Sequence, residues 1–251
     1  MHALDLAPRF ARLLCPVQTL DGALEMGWLD QALAGQGMAV LWCGADALVT
    51  PLSYQQHQRL NAVGAAFAAH GWPVRMRRSG GGVVPQGPGI LNLTLAYPCA
   101  GTPGTQAQAV YRHLCATLAC ALGALGIATD TRAVQGSFCD GRFNLAVTQG
   151  GDVRKIAGTA QYWRRAGGVQ AVLAHALLLL DADPYQLCEL CSRFEAELGS
   201  ARRYDPNALT SVARCWQHAH PGAAVPPDLG QQFTRHVALA LGQLPIEPFP
   251  H

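Results

Sequence analysis

Lys155 is the one lysine among the 18 Lys and Arg residues of this 251-residue chain. It sits in Arg154-Lys155-Ile156-Ala157-Gly158-Thr159-Ala160-Gln161, between a turn and a glycine-containing strand. An ammonium is a compact point charge with three movable donors, suited to a tight contact with a carbonyl or phosphate oxygen where a planar guanidinium is not. Shortly before it, Gly136-Ser137-Phe138-Cys139-Asp140-Gly141 sets a thiol in a polar, glycine-bracketed stretch. A cation beside such a thiol favours the thiolate, which is the nucleophilic form. Upstream, Arg77-Arg78-Ser79-Gly80-Gly81-Gly82 follows a strand-like run. Consecutive glycines let the backbone bend sharply and bring successive amides to a ligand's oxygens. Arg77 and Arg78 add donors for a carbonyl, phosphate or acidic partner. The loop is neither a dinucleotide fingerprint nor a phosphate-binding P-loop, because it leads into strand-like sequence and lacks the Gly-Lys-Ser/Thr ending. Asn92 comes from the strand beyond the same loop.

Each of these features has a plainer reading: a surface lysine, an idle loop cysteine, a glycine-rich hairpin, a strand-end amide. His175, in the apolar run Val172-Leu173-Ala174-His175-Ala176-Leu177, reads as a satisfied core histidine more readily than as a functional one. Ser79 is a poor candidate for a hydrolase nucleophile, since its setting is not the Gly-x-Ser-x-Gly elbow. Cys188-Glu189-Leu190-Cys191 has metal-ligand spacing, but no second pair follows, and on a helix these thiols pack as small hydrophobes.

The elements that must carry these residues follow from periodicity. Leu20, Ala23, Leu24, Leu29 and Leu33 form a helical stripe over Thr19 to Leu33, opened by Thr19 or Asp21. Met38 to Cys43 and Ala47 to Thr50 read as strands, and Ser53 as the cap of a helix running to His70. Pro73 to Arg77 is a strand delivering the glycines, and Ile90 to Tyr97 the next strand. Thr105 to Leu125 is a long helix ended by Gly126. Phe143 to Thr148 and Val153 to Gly158 make a hairpin around Gln149-Gly150-Gly151-Asp152. Val169 to Leu180 continues the sheet after a turn at Gly167-Gly168. From Asp183 onward the pattern is helical, over Pro184 to Leu198, about Asn207 to His218, and Asp228 to Leu241. The expected fold is α+β: one domain over 1–251 with a mixed, largely antiparallel sheet flanked by helices and a helical C-terminus from about 184.

Half of the residues are hydrophobic and 14% are charged, which provides for a sizeable core and excludes global disorder. A formal net charge of +2 gives no field for nucleic-acid or membrane-surface binding. No apolar run is long enough to span a bilayer, and the start lacks the features of a secretory signal. Nine scattered cysteines point to free thiols in a reducing cytoplasm.

Taken in order, RRSGGG…GPGILN, GSFCDGRFNLAV and RKIAGTAQ resemble the lipoate/biotin protein ligase and octanoyl/lipoyl transferase superfamily, over roughly residues 15 to 200. The resemblance implies that Arg77, Arg78, Ser79, Gly80, Gly81, Gly82 and Asn92 line an acyl pocket. It implies that Lys155 meets the acyl carbonyl, with Gly158, Thr159 and Gln161 as wall residues. The family's lipoate ligases usually carry a His-Asp pair after the glycines, where this chain has Pro85-Gln86-Gly87-Pro88. Its carrier-dependent octanoyltransferases place a cysteine downstream of the lysine, where Cys188 is the nearest candidate, without their Pro-Cys-Gly context. Gly-Ser-Phe-Cys before the hairpin is closest to the cysteine-dependent octanoyl amidotransferases, and this makes Cys139 the expected nucleophile.

The expected function is therefore transfer of an octanoyl or lipoyl group to or from a lysine of a lipoyl-carrier domain, through a Cys139 thioester, with Lys155 at the oxyanion. An acyl carrier protein is the other partner the resemblance implies; nucleic acid and membrane are not expected. This route needs no cofactor and no metal. Two alternatives remain open: an ATP-dependent lipoate ligase, which would need ATP and Mg²⁺, and a non-catalytic acyl- or carrier-binding protein.

Overall fold

Alternation within Ile90–Pro98 decides how this chain layers. Leu91, Leu93, Leu95 and Tyr97 belong to one core, while Ile90, Asn92, Thr94 and Ala96 face the other way, and all but the last residue of the strand are buried. A strand covered on both faces stands at the centre of a sheet. The computed structural model describes residues 10, 12–14, 19–20 and 22–242.

In chain order the elements are β1 (Arg12–Leu14), β2 (Thr19–Leu20), α1 (Leu24–Leu33), β3 (Met38–Gly44), β4 (Ala47–Pro51), α2 (Leu60–Ala69), β5 (Val74–Arg77), β6 (Val84–Gln86) and β7 (Ile90–Pro98). They continue with α3 (Pro103–Gly123), β8 (Asp130–Arg132), β9 (Asn144–Gln149), β10 (Asp152–Ala166), β11 (Val169–Leu179), α4 (Pro184–Glu197), α5 (Val212–Ala219) and α6 (Leu229–Ala240). The large sheet runs β1-β3-β7-β11-β10-β9-β8, with β2 also on β3. Only the β1 and β2 pairings with β3 are parallel; the rest are antiparallel. A smaller sheet, β5-β4-β6, stands beside it. The fold is a single α+β domain with a helical C-terminal part.

One face of the large sheet packs on α3, α5 and α6 through Leu93, Leu114, Leu118, Val172, Phe233 and Val237. The other face packs on α1, and beyond it the small sheet, α2 and α4 enclose a second core around Phe67, Leu48 and Phe194. Helix ends follow local chemistry. Thr102 and Thr105 form a reciprocal capping pair with Pro103 in the first turn of α3. Asp183 caps α4 through the Tyr185 amide, and Ser211 caps α5 through the Arg214 amide.

The structure corrects several elements of the sequence reading, among them the helix expected from about Asn207, which begins at Val212. The first helix begins at Leu24, because Thr19 and Leu20 pair with Cys43 and Gly44 as a strand. Its buried stripe is Glu25, Trp28, Leu29 and Ala32, leaving Leu24 47% exposed. The expected helix from Ser53 to His70 is split: Leu52–Gln56 forms a 3₁₀ turn that turns Tyr54 inward, His57 is extended, and α2 starts afterwards. Strand β6 was not expected; it contains Pro85 and pairs antiparallel with β4 only, an edge position that tolerates proline. The expected chain beyond 242 lies outside the described residues, as does the chain start. Among the described residues, no helix is long and apolar enough to cross a membrane.

Candidate active site

Between α1, the small sheet and the inward faces of β3, β7, β10 and β11 lies a cavity of about 770 Å³. Met26, Trp42, Leu173 and Leu177 make its apolar walls, and Cys139, Lys155, Ser79, His175, Glu25 and Asn92 its polar ones. Two of the strands contribute through period-2 alternation, which puts Asn92 and Thr94 of β7, and Leu173, His175 and Leu177 of β11, on one face. The register sets Trp42 opposite Asn92, Asn92 opposite Leu177, and Thr94 opposite His175.

Cys139 has φ +49°, the left-handed conformation, and is the only non-glycine among the described residues to adopt it. For a residue with a β-carbon that conformation costs about 1–2 kcal/mol, so the surroundings must hold it. Its carbonyl accepts from Asn144 Nδ2 (2.8 Å) and Lys155 Nζ (2.8 Å). Its sulfur accepts from the Gly82 amide (3.1 Å) and lies 3.6 Å from Arg77 Nη2. Gly81, at φ +108°, passes so close to the sulfur that a β-carbon there would overlap it. Gly81 and Gly82 therefore serve the cysteine: the Gly82 amide reaches the sulfur past a position, Gly81, where a side chain would block it.

Lys155 is 5% exposed, on β10 where the pairing with β9 slips between Lys155 and Ala157. Its Nζ donates to the carbonyls of Phe138 and Cys139. Burial pushes its pKa down to about 8, against the opposing pull of Cys139 and Asp140. Gly158 makes room for the folded-back side chain: a β-carbon there would lie 2.7 Å from Nζ. The Lys155 carbonyl accepts from the Thr210 amide at 2.9 Å, which ties this strand to the segment before α5.

The other expected site residues divide. Arg77 does not face the cavity as a free donor. Its guanidinium holds the carbonyls of Val49 (2.7 Å), Gly80 (3.0 Å) and Gly82 (2.7 Å), and so clamps the loop. Arg78 is exposed at the cavity edge, over the Tyr162 ring at 5.9 Å. Asn92 lines the cavity in a reciprocal amide pair with Gln86, at 2.8 and 2.9 Å. Gly158 and Thr159 line it too, the Thr159 hydroxyl donating to the Phe143 carbonyl. Gln161 turns away: its amide donates to the Ala107 carbonyl of α3 (3.0 Å) and accepts from Trp163 Nε1 (2.7 Å).

Ser79 Oγ lies 2.8 Å from His175 Nε2, and His175 Nδ1 lies 2.9 Å from Glu25 Oε1. Glu25 Oε1 also accepts from the Thr94 hydroxyl (2.7 Å), which in turn accepts from Trp42 Nε1 (3.0 Å). Burial alone would raise the Glu25 pKa; the charge and hydrogen bond of His175 and the Thr94 hydroxyl outweigh it and hold the carboxyl below its ordinary value. Glu25 was missed by the sequence reading. The signal was present: it occupies a position of the buried 25/28/29/32 stripe where an apolar residue would be expected.

The lipoyl protein ligase A/B catalytic domain family matches residues 37–218, which span the small sheet, the glycine loop, Cys139 and Lys155. The chain belongs to that family of enzymes. An uncharacterised protein of Cupriavidus necator is 46% identical over 231 residues, covering 88% of this chain and 90% of its own. The octanoyl-GcvH:protein N-octanoyltransferase of Kyrpidia tusciae is 37% identical over 158 residues. That match spans 61% of this chain and only 51% of the Kyrpidia protein's length. Among solved structures, a lipoate-protein ligase A bound with ATP shares the fold at TM-score 0.63 and 15% identity, covering 97% of this chain and 90% of that one.

Within this lipoyl ligase family member, Cys188 is not placed to act. It is 2% exposed in the core beside Cys191 and Phe194, and burial, then Asp205, push its pKa up to about 12. Behind the Cys139 loop stands a buried network that the sequence did not announce. Glu195, fully buried, accepts from Tyr54 (2.5 Å) and Tyr204 (3.0 Å) on Oε1. The Tyr54 hydroxyl accepts from the Val83 amide (3.2 Å), and the Tyr204 ring packs on Phe138 at 4.9 Å. Both loop segments around the cysteine, at Val83 and at Phe138, thus rest on one buried side chain.

Proposed function

We propose that this enzyme moves an octanoyl or lipoyl group to or from a lysine of a lipoyl-carrier domain through a thioester on Cys139. The observation that carries the reading is the strained Cys139 itself: it lines the cavity with its sulfur under the Gly82 amide and the Lys155 ammonium on its own carbonyl. The Cys139 thiolate attacks the acyl carbonyl, the donor leaves, and the acyl group is held as the thioester. Two of Lys155's three donors are engaged by the carbonyls of Phe138 and Cys139, which leaves the third for the developing oxyanion. Such a contact is commonly worth about 3–4 kcal/mol of barrier. The acceptor lysine then takes the acyl group and releases the sulfur. The name of the Kyrpidia relative, an octanoyltransferase using a protein donor and acceptor, supports this reading. Free thiols along the described chain suit a reducing cytoplasm.

The ATP-bound ligase with the same fold keeps adenylation as the second reading. The donor set fits it poorly. Among the described residues Glu25 is the one carboxylate lining the cavity, and its Oε1 already meets the Thr94 hydroxyl and His175 Nδ1, a hydrogen-bonded setting rather than the open oxygen cluster that Mg²⁺ takes. The Gly82 amide and Arg77, which could otherwise meet phosphate oxygens, are directed at Cys139 and the loop carbonyls.

Intact-protein mass spectrometry after mixing with an octanoyl-carrier protein, without ATP, tests the choice. An octanoyl adduct on Cys139 that hydroxylamine removes is expected. Carrier modification that requires free octanoate and ATP, with no adduct, would replace this reading by the ligase.

A further inference from the structure

Glu25, His175 and Ser79 form a hydrogen-bonded acid–imidazole–hydroxyl chain in the wall of the cavity that also holds Cys139 and Lys155. The thioester route above gives this chain no work. Yet that route has a step with an unmet need: a lysine side chain arrives as an ammonium, with a free pKa of about 10.4, and must lose a proton before it can attack. Lys155 cannot meet the need while its ammonium is the oxyanion donor.

We propose that Ser79, backed by His175 and Glu25, takes that proton from the acceptor lysine; the proposal rests on the Cys139 thioester reading. Position supports it. Ser79 is two residues before Gly81, whose α-carbon faces the Cys139 sulfur, and two residues of extended chain reach at most about 7 Å. Orientation supports it as well. With the proton on Nδ1 pointing at the ionised Glu25, Nε2 presents its lone pair to the Ser79 hydroxyl, the arrangement in which an imidazole serves as a base. The Thr94 and Trp42 donors fix the Glu25 end of the chain from β7 and β3.

The step balances as follows. The lysine ammonium gives one proton to Ser79 Oγ as that hydroxyl passes its own proton to His175 Nε2, and the imidazolium is paired with Glu25. The freed amine attacks the thioester carbonyl and forms the C–N bond. The C–S bond breaks, its electron pair returns to the Cys139 sulfur, and one of the two protons on the attacking nitrogen goes to that sulfur. The products are the amide, a free thiol and the His175 imidazolium, which then returns its proton to solvent.

A purely structural role would tie α1, β11 and the glycine loop together without caring which nucleophile arrives. The test exploits that difference. Wild type, His175→Gln, Ser79→Ala and Glu25→Gln are loaded with octanoyl on Cys139, desalted, and mixed either with an apo lipoyl-carrier domain or with hydroxylamine, which is largely unprotonated at neutral pH. Loss of the relay should slow transfer to the carrier lysine at least tenfold, within the range of general-base effects, and leave hydroxylamine cleavage within about twofold. Thermal melting confirms that each variant is folded; should Ser79→Ala fail to fold, His175→Gln and Glu25→Gln still decide. Equal slowing with both nucleophiles, or no slowing with either, overturns the proposal. A wild-type protein that never carries the adduct overturns the thioester reading itself, and this proposal with it.

Discussion

The Lys155 side chain occupies the volume that any side chain at residue 158 would need: a β-carbon on Gly158 would lie 2.7 Å from its Nζ and 2.8 Å from its Cε. The pair stands on one strand, three residues apart, and the lysine folds back along it to reach the carbonyls of Phe138 and Cys139. The glycine is therefore part of the lysine's binding geometry, and the lysine part of the cysteine's.

Gly158→Ala should displace the ammonium from both carbonyls while leaving the strand itself intact, since the Gly158 backbone is not in the left-handed region. Octanoyl adduct formation on Cys139 is expected to fall by tenfold or more, measured as the single-turnover rate by intact mass. A variant that loads at the wild-type rate would show that this lysine position is dispensable.

Lys155→Arg keeps the charge and tests the shape. A planar guanidinium is too large for the space above Gly158 and presents its donors in a fixed fork. Transfer should drop by about 10²-fold, the size of losing one oxyanion donor. Near-normal turnover by this variant would remove Lys155 from the mechanism.

The buried ammonium also predicts a pH dependence of stability. Its pKa is about 8 in the folded protein against 10.5 for the free group, so between those values the unfolded chain holds more protons than the folded one. The contribution of this group to stability therefore rises with pH across that window and is flat below it. Urea midpoints taken from pH 7 to 10 for wild type and Lys155→Met should differ by a term that changes across that range in this sense. A difference independent of pH would contradict the depressed value.

Cys139 is held in a conformation that favours glycine, at φ +49°. Cys139→Gly should be more stable than Cys139→Ala by about 1 kcal/mol, read from chemical denaturation, because only the alanine keeps the left-handed penalty. Both should lack the octanoyl adduct, and Cys139→Ser should lack it too, because a serine hydroxyl stays protonated without a base of its own. An adduct persisting in Cys139→Ser and mapping to another cysteine would move the nucleophile.

Local chemistry was legible in the sequence wherever residues close along the chain act together. The alternation of Ile90 to Tyr97 announced a strand, the Gln149 to Asp152 turn announced the β9–β10 hairpin, and one lysine after a glycine-bracketed cysteine announced a paired site. Periodicity failed for α1, where two overlapping stripes fit the apolar residues and only packing against β3, β7 and β11 chose the one that buries Glu25. It also could not tell that Gln161 faces α3, since the slip after Lys155 changes how β10 meets its neighbours.

By itself, then, the sequence determined the α+β order of elements, the glycine loop, and the candidacy of Cys139 and Lys155. Tertiary structure alone decided that Arg77 clamps the loop, and that His175 meets Glu25 150 residues away and Ser79 96 residues away. It also placed Tyr54 on Glu195, 141 residues apart, beneath the cysteine loop. Hydrogen bonds between such distant residues leave no periodic trace, because their geometry is set by sheet register and by which helix face packs inward, and both are settled only when the whole core closes.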